Sequence, residues 1–66
     1  MTVVIRVRTR GQCVDYSGRS VDTIIRREYG RRATVWGGNV IGPKRHGGAY
    51  PVLGVIVSVD GTLVGQ

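Results

Sequence analysis

Sixty-six residues with ten Lys/Arg against four Asp/Glu give a net charge of +6 and a pI near 10.8, the balance of one small domain (residues 1–66) with a strongly basic surface. A chain of this size buries only about 60% of its unfolded surface. With one cysteine and one histidine, it has neither a disulfide nor a Cys/His metal cluster to supplement its core, so good packing or oligomerisation must do so. The charge is placed unevenly: residues 1–46 hold every basic side chain against Asp15, Asp22 and Glu28, a net +7, whereas residues 47–66 hold Asp60 alone. Such asymmetry describes a basic contact surface mounted on an apolar scaffold.

Residues 2–10 alternate, with Val3, Ile5 and Val7 to one side and Val4, Arg6, Arg8 and Arg10 to the other, the period of a half-buried strand. Gly11 and Gln12 end it, and Cys13 to Gly18 reads as a turn-rich connection. Ser20 is a fitting N-cap, Asp22 suits the positive end of a helix, and Val21, Ile24, Ile25 and Tyr29 share one helical face up to the stop at Gly30. Arg26, Arg27, Arg31 and Arg32 gather at the end of this helix, where cations complement its dipole. A short strand, Ala33 to Trp36, a Gly37-Gly38-Asn39 turn and a return through Val40 and Ile41 follow. Residues 42–48 read as a mobile polar loop carrying Lys44 and Arg45. The strongest strand, Val52 to Val59, meets Thr62-Leu63-Val64 across an Asp60-Gly61 type I′ turn. Strict alternation puts Gly54, Ile56, Ser58 and Leu63 on one face of that hairpin and Leu53, Val55, Val57 and Val59 on the other.

These elements predict an α+β fold, one helix at about 20–29 packed on a mostly antiparallel sheet of four or five strands, with a small partly open β-barrel as the alternative. One helix covers only one face of a sheet. The weakly polar second face therefore predicts a homodimer, with Ile56 and Leu63 in its seam.

No motif for catalysis survives inspection. Gly37 to Arg45 has the glycines of a phosphate loop, but Pro43 displaces the lysine and no Ser or Thr follows it. Cys13 and His46 lack the spacing of a nucleophile–base pair, and the four acids stand singly. Neither an enzyme nor a cofactor site is expected. The strand and helix over residues 2–29 resemble the opening of ribbon–helix–helix repressors. The second helix is missing, and no site carries over. Arg6 and Arg8 interrupt any signal-peptide core, and the longest apolar stretch, the eight residues Val52 to Val59, falls short of the roughly 20 needed for a helical span. A cytoplasmic protein is expected, without a membrane partner.

Nine of the ten basic residues are arginines, the side chain suited to bidentate phosphate recognition, although a GC-rich genome also favours arginine. The functional expectation is a small nucleic-acid-binding factor, DNA before RNA. Arg6, Arg8 and Arg10 contact phosphates from the strand, Arg26, Arg27, Arg31 and Arg32 from the helix end, and Lys44 and Arg45 from the loop. Trp36 is either a core anchor or a stacking platform for a base. The alternative is a structural or regulatory protein–protein module such as an accessory subunit, inhibitor or virion component.

Overall fold

Alternating apolar residues near the N-terminus and a nine-residue amphipathic segment dictate the two layers of the fold. In a computed structural model describing residues 1–65, the chain forms β1 (Val3–Thr9), β2 (Gln12–Gly18), α1 (Val21–Tyr29), β3 (Thr34–Trp36), β4 (Asn39–Ile41), β5 (Val52–Val59) and β6 (Thr62–Leu63). All strand pairings are antiparallel, in the order β2-β1-β5-β4-β3, with β6 also on β5. The sheet is open, not a barrel, and the helix packs on one of its faces. The architecture is α+β, with six strands where four or five are predicted.

Burial of one strand face drives the packing. Ile5 and Val7 of β1, Val40 of β4 and Ile56 of β5 meet Ile24 and Ile25 of the helix, together with Ala33, in a core where each is at most 4% exposed. Val21, Tyr29, Tyr16 and Leu53 close its rim. The helix begins where the sequence places it. Ser20 Oγ accepts from the Thr23 N–H at 3.2 Å, and Gly30, at φ 120°, ends the helix with its N–H on the Arg26 carbonyl. No helix among the described residues is long and apolar enough to cross a membrane.

Two features depart from the sequence reading. Residues 12–18 are a strand, not a turn-rich connection: Arg10 (φ 52°) and Gly11 (φ 79°) form a two-residue hairpin turn, and Thr9 faces Gln12. β2 is an edge strand with Gln12, Val14, Tyr16 and Gly18 on the helix side, so its alternation carries little hydrophobic contrast.

The second departure is in β5. Its register against β1 shifts by one residue, pairing Arg6 with Ser58 but Val7 with Ile56, so Val57 has no partner there and forms a bulge. The bulge breaks strict alternation. Ile56 turns into the core at 4% exposure, while Leu63, opposite Ser58, is 56% exposed. Ile56 is therefore core and offers nothing to a dimer seam; Leu63 stays available at the surface.

Candidate nucleic-acid interface

The face of the sheet opposite the helix is uncovered. From β1 it displays Val4, Arg6 and Arg8, and from β2 Cys13, Asp15 and Ser17, paired across the strands as Arg8 with Cys13, Arg6 with Asp15 and Val4 with Ser17. Charge on this half is partly compensated. Arg6 donates through Nε to Asp15 Oδ1 at 2.8 Å and through Nη2 to Oδ2 at 3.2 Å. These hydrogen bonds hold the Asp15 carboxyl below its ordinary range and raise the Arg6 guanidinium. Arg8 makes no ion pair among the described residues.

The other half is apolar and aromatic. Thr34 and Trp36 of β3, Asn39 and Ile41 of β4, and Tyr50 and Val52 line a shallow groove of about 730 Å³. Antiparallel register explains this grouping, since Thr34 faces Ile41, Trp36 faces Asn39 and Ile41 faces Val52. Trp36 is 76% exposed and Tyr50 55%, so the indole is no core anchor. Tyr16 and Tyr29 supply the aromatic packing, edge to face with ring centroids 6.2 Å apart. Burial pushes the Tyr16 phenol up.

At one end of the sheet β1 and β5 part company. The β1–β5 pairing ends at Arg8–Val55, and an open cleft of about 760 Å³ lies past it. Arg8, Thr9, Arg10 and Gly11 form one wall, Pro51 to Val55 the other, and Glu28, Tyr29 and Arg45 complete it. Val52 lines both cleft and groove, so the two adjoin at that residue, the cleft reaching round the sheet end to the helix side at Glu28 and Tyr29. Arg45 is set by a small turn: its N–H donates to the Ala49 carbonyl at 2.6 Å and its carbonyl accepts from Gly48 at 2.9 Å. The Thr9 and Tyr29 hydroxyls are hydrogen-bonded at 2.9 Å beside these arginines.

The basic residues singled out in the sequence thus separate. Arg8, Arg10 and Arg45 converge on the cleft, and Arg6 stands on the same sheet face tied to Asp15. Arg27 is occupied by Glu28 at 2.8 Å and the Ser17 carbonyl at 2.9 Å, near β2. Arg26 is exposed on the helix, Arg31 and Arg32 lie in the turn leading to β3, and Lys44 sits on the loop; none of these four lines the cleft. Sequence reasoning missed Ile41, Tyr50 and Val52 as neighbours of Trp36, because the bulge in β5 between Gly54 and Val52 sets their face.

No family model, curated protein or solved structure matches this chain.

Proposed function

We propose that this protein binds single-stranded nucleic acid across the uncovered face of its sheet and the cleft at the sheet's end, with bases on the Trp36–Tyr50 groove and phosphates on Arg8, Arg10 and Arg45. The observation that carries this reading is an exposed aromatic groove that adjoins an arginine-lined cleft at Val52. Stacking platforms flanked by cationic grooves take unpaired bases without needing their sequence. A duplex fits less well. A major groove about 12 Å wide admits a helix or a two-stranded ribbon, whereas this sheet, five strands abreast, is roughly 19 Å across. The arginines of β1 lie between two neighbouring strands, so they do not project as a ribbon.

Trp36 is the only tryptophan, so its fluorescence reports directly on the groove. Titration with a short oligonucleotide is expected to quench it. Engagement of three to four phosphates gives a log K against log salt slope of roughly −2 to −3. Trp36→Ala is expected to weaken binding by about 1–3 kcal/mol. Unquenched fluorescence and salt-independent affinity would sink the proposal.

A second reading has support from Trp36, Tyr50, Val52 and Leu63, all more than half exposed. Such a surface also suits a protein partner or a second copy of the chain. Sedimentation equilibrium separates the two. A dimer dissociated by Leu63→Asp, with no oligonucleotide bound, would favour the protein-interaction module.

A further inference from the structure

Three arginines line one cleft, and they come from two stretches of the chain: Arg8 and Arg10 from the end of β1 and its hairpin turn, and Arg45 from the loop before β5. The one carboxylate on the cleft wall, Glu28, already accepts from Arg27 Nε at 2.8 Å. Arg8, Arg10 and Arg45 make no ion pair among the described residues. The cleft therefore carries positive charge beyond what a single phosphodiester, with one negative charge, would balance. It also lies at the end of the sheet, bounded by the helix terminus at Glu28 and Tyr29, while the base groove adjoins it at Val52. The helix terminus closes the cleft on the side away from the groove, which suits it to the end of a strand more than to its middle.

Resting on the nucleic-acid reading, we propose that the cleft of Arg8, Arg10 and Arg45 holds the terminal phosphomonoester of the strand, which marks this protein as a reader of phosphorylated strand ends. A phosphomonoester at neutral pH carries about one and a half to two negative charges and three acceptor oxygens. Arginine forks match those oxygens in pairs. The Thr9–Tyr29 hydroxyl pair offers a further polar contact on the same wall. Arg10 supports the assignment through its backbone. It occupies a left-handed turn position, at φ 52°, that Asn or Gly fills with less strain, and it lines the cleft from there.

The test compares internally labelled oligothymidylates of one length with a 5′-phosphate, a 3′-phosphate or hydroxyl ends only, by anisotropy at one salt concentration. A phosphorylated end is expected to bind about tenfold tighter than hydroxyl ends. Arg10→Asn combined with Arg45→Gln is expected to weaken every strand, because both residues belong to the phosphate site, but to bring the ratio of phosphorylated to hydroxyl-ended affinity to about one. Arg10→Asn suits its turn, so the fold is kept, and circular dichroism verifies it. Equal affinity for all three strands overturns the end-reading inference but leaves the nucleic-acid reading standing. A preference that survives in the double variant also overturns it, because the phosphate then lies elsewhere. No binding of any strand removes both proposals. Competition with inorganic phosphate and thymidine monophosphate separates the sources. If either displaces the phosphorylated strand at equal concentration, the cleft serves a small phosphate ligand and the strand-end assignment falls.

Discussion

Arg10 is where stability and the proposed function pull apart. A non-glycine residue in left-handed conformation is strained by roughly 1 kcal/mol, and the first position of a type I′ turn prefers Asn or Gly. Arg10→Asn is expected to stabilise the protein by up to about 1 kcal/mol, a rise of roughly 4–8 °C in Tm for a domain this small, while weakening oligonucleotide binding. Thermal melts and anisotropy on the same preparation check both halves. Asp15 acts in the opposite sense. By holding the Arg6 guanidinium it withholds one cation from the sheet face. Its carboxyl titrates below the ordinary range, so the pair is complete at neutral pH and dissolves only as acid protonates Asp15. Asp15→Asn is therefore expected to tighten strand binding and steepen the salt slope by about 0.7, one phosphate's worth for a single strand. An unchanged slope would show that Arg6 does not reach the ligand.

At the scale of elements, legibility tracked burial. The helix was readable because cap, apolar face and stop agree: Ser20, then Val21, Ile24, Ile25 and Tyr29, then Gly30. The β5–β6 hairpin was readable through Asp60-Gly61, with φ 49° and 82°, and Val59 faces Thr62 as expected. Asp60 does more than turn the chain; its Oδ1 accepts from the Val4 N–H at 2.9 Å and its own N–H donates to the Val4 carbonyl at 2.8 Å. By contrast, β2 escaped notice because an exposed edge strand needs few apolar residues. Nor does local sequence announce the bulge at Val57, which arises from fitting a twisted β5 against β1. Gly54 tests that fit. A Cβ there would lie 2.9 Å from Thr9 Oγ1 and 3.0 Å from Val7 Cγ1, and Thr9 is held by Tyr29. Ala usually strengthens a strand relative to Gly, but here overpacking wins, and Gly54→Ala is expected to destabilise by about 1–3 kcal/mol. A urea midpoint that fails to fall would mean that β1 and β5 are less closely apposed.

For the whole molecule, the decisive fact is that one helix and one open sheet give two unlike faces. The sequence showed a basic surplus in residues 1–46 but could not say how it divides, because the cleft is assembled from residues far apart in the chain: Arg8 and Arg10, Tyr29, Arg45 and Val52. Trp36 and Tyr50 likewise meet only through the β3-β4-β5 register. The division yields a prediction that total charge alone would not. Arg26→Gln with Arg31→Gln and Arg32→Gln removes three positive charges from the helix and the turn after it, outside the cleft. Arg8→Gln with Arg10→Gln and Arg45→Gln removes the same charge from the cleft. Binding by overall charge treats the two triples alike, since each removes the same net charge. Binding on the sheet face separates them. The cleft triple is expected to flatten the salt slope by about 2, while the helix triple leaves it within about 0.5 of the parent. Anisotropy titrations of both triples across four salt concentrations measure this directly. Equal slopes for the two would mean that the arginines act as a diffuse cloud and that the sheet face is not the site.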